Sequence, residues 1–321
     1  MLKKIFYSAL GVGLLAIIVL GVLLAWPMYT LDPDQTIELM TIEGPAEARA
    51  HTGYKSRDDR LLPLRLYPAE NSDIALILLH GVSGHGDYLH DLALNLSNRS
   101  AAVVFVPDLR GHGDSPERRG DIDYVEQLED DLADLVAHVR KQMPQARIIV
   151  GGHSGGGGLA IRYAGGEQAE DVEGYMLLAP FLGVNAPTVK EDFGGWVHVH
   201  APRLIALNLM NTVGIRFLDS LHVMHFNLPE KYRTDRSTTS YSWRMAQGYF
   251  PLYPEDLAAI DMPLLVVVGK NDDIFIADEY APVVAEHASQ GEVVIVPGNH
   301  FDLLLSDSPA LETYVSWLNG F

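Results

Sequence analysis

The stretch from Arg147 to Gly158, RIIVGGHSGGGG, constrains the fold more than any other part of the chain. An apolar run leads into Gly152-His153-Ser154-Gly155-Gly156, and a helix-compatible segment follows. This G-x-S-x-G spacing fits a sharp strand-to-helix turn that lifts a serine hydroxyl clear of the edge of a sheet. So tight a turn leaves no room for side chains two before and two after the serine, hence glycine at both places. A backbone N–H just past the serine then points at the carbonyl under attack. Glycine-rich runs also make plain loops, so the pentapeptide gains meaning only from its context elsewhere in the chain.

With 48% hydrophobic residues, the 321-residue chain can bury a sizeable core in one large or two average domains. Lys+Arg 23 against Asp+Glu 42 leaves a net charge of −19, which argues against nucleic acid as a partner and against electrostatic adhesion to anionic lipid. The absence of cysteine removes disulfides, thiolate metal sites and thiol catalysis. The N-terminus reads differently from the rest. Ile5 to Trp26 carries no charge and comes close to the roughly 20 residues a membrane-spanning helix needs. It ends in Leu24-Ala25-Trp26-Pro27, whereas a cleaved signal peptide has a shorter apolar region and a small-x-small site. The expectation is a cytoplasmic tip (1–4), a transmembrane anchor (5–26), a polar tether (27–45) and a folded body (46–321). Lys3 and Lys4 ahead of the span, with Asp32, Asp34 and Glu38 behind it, place the N-terminus in the cytoplasm. The body then lies on the outer, periplasmic or extracytoplasmic, side of a single-pass membrane protein.

After the tether, Arg60-Leu-Leu-Pro-Leu-Arg-Leu-Tyr-Pro reads as a strand with edge character because of its proline. Ile74 to Leu79 and Ala101 to Val106 have the continuous apolarity of strands buried on both faces. Ile148 to Val150, Tyr175 to Ala179, Leu264 to Val268 and Val293 to Val296 extend the series. Helical segments fall between them, clearest over Val125 to Met143, where Leu128, Leu132, Leu135 and Val139 form one stripe. Such alternation predicts an α/β fold, a mostly parallel sheet covered by helices on both faces. The interval Leu182 to Leu257 is far longer than an ordinary crossover and reads as helical, with little sheet. It is either an inserted cap over the site or a long helical excursion with no gating role.

A serine hydroxyl becomes a nucleophile at neutral pH only with an imidazole in reach and a carboxylate to orient that imidazole. After the strand at 264–268 comes Gly269-Lys270-Asn271-Asp272-Asp273, and after the last strand comes Pro297-Gly298-Asn299-His300. Both loops open at strand carboxyl ends, where open α/β sheets hold their ligands. The glycine spacing favours Asp272 as the acid, with the neighbouring Asp273 as its rival. Asp302 reads as a turn carboxylate.

Taken together, His80-Gly81, Asp108-x-Arg110-Gly111-His112-Gly113-x-Ser115, Gly152-His153-Ser154-x-Gly156-Gly157, Gly269-x-x-Asp272 and His300 resemble the α/β-hydrolases that include monoacylglycerol lipases, lysophospholipases and serine aminopeptidase-like enzymes. The resemblance runs from about residue 60 onward. It implies the α/β-hydrolase fold with a cap at about 182–257, Ser154 as nucleophile, Asp272 as acid and His300 as base. It further implies oxyanion donors at the Val82 and Gly155 backbone N–H groups, with no cofactor and no metal. Two residues depart from the family pattern: Gly155 where a larger residue is usual, and Ser83 where glycine is common. Gly158 also lacks a reason in the pattern. Asp108 and Arg110 read as braces of their loop, and His153 as a packing residue.

In the cap, His198, His200, His222 and His225 have metal-like spacings but no accompanying carboxylate pattern. Trp196, Phe217, Phe226, Tyr241, Trp243, Tyr249 and Phe250 either line a lipid-like pocket or form the cap's own core. The expected activity is cleavage of carboxylic esters, lipid esters of monoacylglycerol or lysophospholipid type foremost. Peptide and small-ester substrates remain alternatives, as do an acyltransferase using the same triad and a non-catalytic binding protein.

Overall fold

The computed structural model describes residues 2–27, 48, 52–115, 118–169, 171–230 and 233–321. Helix α1 spans Leu2–Ala25, and the expected tether lies outside the described residues except for Pro27. Strands β1 (Thr52–Lys55), β2 (Leu61–Tyr67) and β3 (Ile74–Leu79) follow, then α2 (His90–Asn98), β4 (Val103–Pro107), α3 (Gln127–Gln142), β5 (Arg147–His153), α4 (Gly155–Gly165) and β6 (Gly174–Leu178). The cap interval holds β7 (Val197–Val199), α5 (Ala201–Thr212), β8 (His222–Phe226), β9 (Ser240–Ser242) and α6 (Trp243–Tyr249). The short α7 (Glu255–Ala258), β10 (Leu264–Gly269), α8 (Tyr280–His287), β11 (Gly291–Val296) and α9 (Leu311–Leu318) complete the order.

Eight strands form one sheet in the order β1-β2-β4-β3-β5-β6-β10-β11. The pairs β1–β2 and β2–β4 are antiparallel, and every other pair is parallel. The central strands owe their position to composition. Each residue of β3 (IALILL) and of β10 (LLVVVG) is buried, as expected of strands covered by helices on both faces. The proline-bearing β2 is not the outermost strand: β1 pairs with it, with Pro63 opposite Gly53. The cap also departs from its all-helical expectation, because β7, β8 and β9 form a small antiparallel sheet. Strands of three to five residues are too short to show alternation in the sequence.

The N-terminal expectation is overturned. Among the described residues no helix is long and apolar enough to cross a membrane. The transmembrane anchor at 5–26 is therefore not part of this fold, and neither the single-pass topology nor membrane attachment through that segment stands. The stretch does form a helix, but one that starts at Leu2, so that Lys3 and Lys4 lie in its first turn and not ahead of it. Its other end is fastened to the cap. The Leu24 and Trp26 carbonyls accept hydrogen bonds from Arg203 at 3.4 Å and His200 at 2.9 Å, and Leu20 and Leu24 pack against the core.

Candidate active site

Ser154 sits alone between the end of β5 and the start of α4, at φ +55° and ψ −121°. Non-glycine residues seldom adopt this backbone region, and a surrounding structure has to hold them there. Here the Ser154 N–H donates to the Leu178 carbonyl at 2.9 Å, while the Ser154 carbonyl accepts from Phe181 and Gly158 at 3.0 and 3.1 Å. The glycines around it answer to backbone proximity. A Cβ on Gly156 would stand 2.4 Å from the His80 carbonyl oxygen, and one on Gly155 would stand 2.6 Å from the Val82 side chain and 3.0 Å from the Tyr249 ring. The departure at Gly155 thus makes room for the loop at 80–84 and for a cap tyrosine. Gly158 is likewise explained, by the Phe181 carbonyl 2.8 Å from its would-be Cβ.

The loops after β10 and β11 bring Asp272 and His300 together. His300 Nδ1 lies 2.7 Å from Asp272 Oδ2, and both side chains are buried. The other carboxylate oxygen, Oδ1, accepts the N–H groups of Ile274 and Phe275, each at 2.8 Å. Burial alone would raise the Asp272 carboxyl, but the His300 ring and those two amides outweigh it and hold the group below the ordinary carboxylate range. Asp273 is exposed and its carboxyl is raised, by its partial burial and by the neighbouring Asp272, so the structure pairs His300 with Asp272. Asp302 accepts the Asn299 N–H at 2.8 Å, the turn role read from sequence.

The loop His80–Gly84 faces the elbow. Its Gly81 N–H donates to the Tyr88 hydroxyl, and its Ser83 N–H donates to the Tyr241 hydroxyl at 3.3 Å. Between them, the Val82 N–H has no hydrogen-bond partner among the described residues, and neither has that of Gly155. Ser83 stands at φ +64°, which accounts for the family's frequent glycine here and makes this chain's serine a strained choice.

Three buried histidines pin this arrangement, each with its tautomer set by its partners. His153 Nε2 meets the His300 carbonyl at 3.1 Å, so it carries the hydrogen, and Nδ1 accepts from the Tyr88 hydroxyl at 3.2 Å. His112 Nδ1 donates to the Arg110 carbonyl at 3.0 Å, so Nε2 accepts from the Tyr241 hydroxyl at 2.6 Å. His80 Nε2 accepts the Leu109 N–H at 3.1 Å and Nδ1 donates to the Gly81 carbonyl at 2.9 Å. Burial depresses all three: His80 falls to about 4 and the other two lie well below the usual value. His153 is therefore more than the packing residue expected of it.

Beneath the loop lies a buried charge cluster. Arg65 pairs with Asp87 and Asp108, Arg236 from the cap pairs with Asp87 and Asp114, and Asp108 accepts the Gly86 and Asp114 N–H groups at 2.8 Å. Arg110 is bound by Asp131 and Asp58. The bracing expected of Asp108 and Arg110 is observed. Among the described residues His85, Asp87 and Asp108 are the one group whose ligating atoms lie within 4.8 Å of one another. Their carboxylates are already engaged by two guanidinium groups, which makes this an ion-pair network and not a cation site. The four cap histidines do not converge in that way. The sequence marks neither Arg236 nor Tyr88 and gives Tyr241 only as a cap aromatic, because a hydrogen bond to a partner 149 or 158 positions away leaves no local pattern.

Two cavities open at Ser154. The larger, about 240 Å³, is bounded by Val82, Gly155, Phe181, Trp196, Val199, Leu204, Ala246, Gln247, Phe250 and further apolar side chains. The smaller, about 20 Å³, lies between Gly81, Tyr88, His153, Ser154, His300 and Phe301. Of the aromatics that sequence left undecided, Trp196 and Phe250 line the pocket, whereas Phe226, Tyr241 and Tyr249 are buried in the cap's core and Phe217 is exposed.

A family model described as serine aminopeptidase, S33 matches residues 70–305. A monoacylglycerol lipase of Mycolicibacterium smegmatis is 24% identical over 263 residues, 76% of this chain and 87% of that protein. A monoglyceride lipase of Rattus norvegicus is 31% identical over 137 residues, 41% of this chain, and the match spans 45% of that enzyme's length. A soluble variant of monoglyceride lipase from Saccharomyces cerevisiae, solved in complex with a substrate analog, shares the fold with a TM-score of 0.64 at 18% identity, over 85% of this chain and 96% of that one. The chain belongs to the serine aminopeptidase S33 family of α/β-hydrolases.

Proposed function

We propose that the chain hydrolyses esters of a single acyl chain with a small uncharged alcohol, of monoacylglycerol type, through an acyl-enzyme on Ser154. The observation that carries this is the pair of unequal cavities meeting at Ser154, neither lined by Lys or Arg among the described residues. At about 240 Å³ the apolar one falls below the roughly 300–1,000 Å³ of pockets for drug-sized ligands, room for one acyl chain and not two. The small cavity beside His300 faces the alcohol oxygen, with room for little more than one water-sized group. A lysophospholipid would bring a phosphate to a wall where no Lys or Arg stands among the described residues, which favours the neutral head group.

In this reading Ser154 Oγ attacks the ester carbonyl while His300 Nε2 takes its proton, and Asp272 steadies the imidazolium through Nδ1. The tetrahedral oxyanion is received by the Val82 and Gly155 N–H groups, neither of which has a hydrogen-bond partner among the described residues. Collapse breaks the bond to the alcohol oxygen, which leaves with the proton from His300. Water, deprotonated by the same imidazole, then frees the fatty acid and regenerates Ser154.

The test is Ser154→Ala with p-nitrophenyl esters and a fluorophosphonate probe, expected to lower kcat by roughly 10⁴-fold or more and to abolish labelling. Labelling that persists in the variant would refute the nucleophile assignment. Comparison of monoacylglycerol with lysophosphatidylcholine of equal chain length tests the alcohol, and equal kcat/KM would refute the neutral head group. Product analysis with and without an added alcohol separates hydrolysis from acyl transfer.

A further inference from the structure

The cap grips the segment from His80 to Asp87 at three points. The Tyr241 hydroxyl accepts the Ser83 N–H at 3.3 Å, the Tyr249 hydroxyl donates to the His80 carbonyl at 2.8 Å, and Arg236 holds both carboxylate oxygens of Asp87 at 2.5 and 3.0 Å. Tyr241 and Tyr249 are fully buried, and Arg236 and Asp87 nearly so. The first contact has only one possible polarity. Because His112 Nδ1 must donate to the Arg110 carbonyl, its Nε2 can only accept, and the Tyr241 hydroxyl spends its hydrogen there, leaving its oxygen for the Ser83 N–H.

We propose that Tyr241 is a positioning residue for the oxyanion loop, so that the cap supplies part of the catalytic geometry in addition to walls for the acyl chain. This rests on the reading of Val82 as an oxyanion donor. An N–H works as a preorganised donor when its direction is fixed before the charge develops. For Val82 that direction is set by the two peptide units around it. The hydrolase body fixes one of them, through Tyr88 and the Gly81 N–H, and the cap fixes the other, through Tyr241 and the Ser83 N–H. The would-be Cβ of Gly155 lies 3.3 Å from Val82 N, so a small swing of the loop alters the distance between the two donors.

Tyr241→Phe keeps the ring against Phe226, whose centroid is 4.7 Å away, and removes only the oxygen. The enzyme is titrated with the fluorophosphonate probe so that turnover is counted per reactive site. We expect kcat per site to fall roughly ten-fold, short of the about 10²–10³-fold lost when an oxyanion donor itself is deleted, with KM within two-fold and an unshifted pH profile. Asn211→Ala, which loses a hydrogen bond to Asp219 inside the cap, is the control for simple destabilisation and is expected to keep its kcat per site. If Tyr241→Phe is poorly folded, Tyr249→Phe is read in the same way on the folded fraction, since it releases the His80 carbonyl of the same loop. Wild-type kcat per site in the variant refutes the positioning role. Ser154→Ala, run alongside, tells that failure from failure of the underlying reading, because a mutant that still labels refutes the mechanism itself.

Discussion

His153 ties the His80–Gly84 loop to His300, donating from Nε2 to the main-chain carbonyl of His300 at 3.1 Å and accepting at Nδ1 from Tyr88, whose oxygen in turn receives the Gly81 N–H. The two rings stand 4.5 Å apart between centroids. Burial keeps His153 neutral, so under the proposed mechanism a positive charge on His300 meets the Asp272 carboxylate and no second positive charge from His153.

His153→Phe would leave the Tyr88 hydroxyl without an acceptor and the His300 carbonyl without a donor, each buried polar group costing about 1–3 kcal/mol. The loss should appear as a lower midpoint in urea. Displacement of His300 should also lower kcat by roughly 10- to 100-fold with KM little changed. Glutamine offers an acceptor and a donor of similar reach, so His153→Gln should recover most of both. A Phe variant as active per titrated site as wild type would show that the bridge is not needed to place His300.

The same neutral histidines make stability depend on pH in a definite sense. A histidine free in the unfolded chain binds a proton near pH 6.5, whereas His80 in the folded protein does so only at about 4, because burial opposes the charge. Between those values the unfolded state holds more protons, so stability is full above about 6.5 and is lost as pH falls toward 4. For His80 alone the loss approaches about 3 kcal/mol, and His112 and His153 act in the same direction. Asp131, raised by burial to about 6, works the other way and recovers part of it. Asp272 and Asp108, both depressed, add their own losses only at lower pH. Thermal melts from pH 8 to pH 4.5 should therefore show Tm falling steadily below about pH 6.5. A Tm that rises toward pH 5 would contradict the proton assignments of these rings.

The main sheet was legible because its central strands are unbroken apolar runs, and β3 and β10 declare themselves by composition alone. Asp272 and His300 could be located because one follows β10 and the other the apolar end of the edge strand β11, and the structure brings them together at 2.7 Å. Contacts between distant segments left no such trace. Arg236 meets Asp87 across 149 positions, and Tyr241 meets His112 across 129. No periodicity records a hydrogen bond of that span, and an arginine in a polar loop looks the same whether solvated or buried. The cap sheet was missed because its strands are too short for alternation to register. The N-terminal helix was misassigned because an uncharged run of near-spanning length with charged flanks was read as an anchor, while the docking of its far end at the start of α5 through His200 and Arg203 has no signature in the segment itself.

The pocket wall makes a last, graded prediction. Ala246, on α6, is a small residue in the lining of the 240 Å³ cavity, among Phe250, Leu204 and Val199. A larger side chain there would take space that the distal methylenes of an acyl chain need. Each methylene kept out of the apolar cavity forfeits about 0.8 kcal/mol, a factor of roughly four in kcat/KM. Ala246→Phe should therefore leave butanoate ester turnover near wild type and depress kcat/KM progressively as the chain lengthens, the curves for the two enzymes diverging once the acyl group reaches the substituted wall. Because the substitution adds no titratable group and Ala246 makes no hydrogen bond to Asp272 or His300, the pH profile on the short ester should be unchanged. A uniform loss at every chain length would place the acyl group elsewhere, and an enhanced rate on long chains would mean that the 240 Å³ cavity is not where the acyl chain lies.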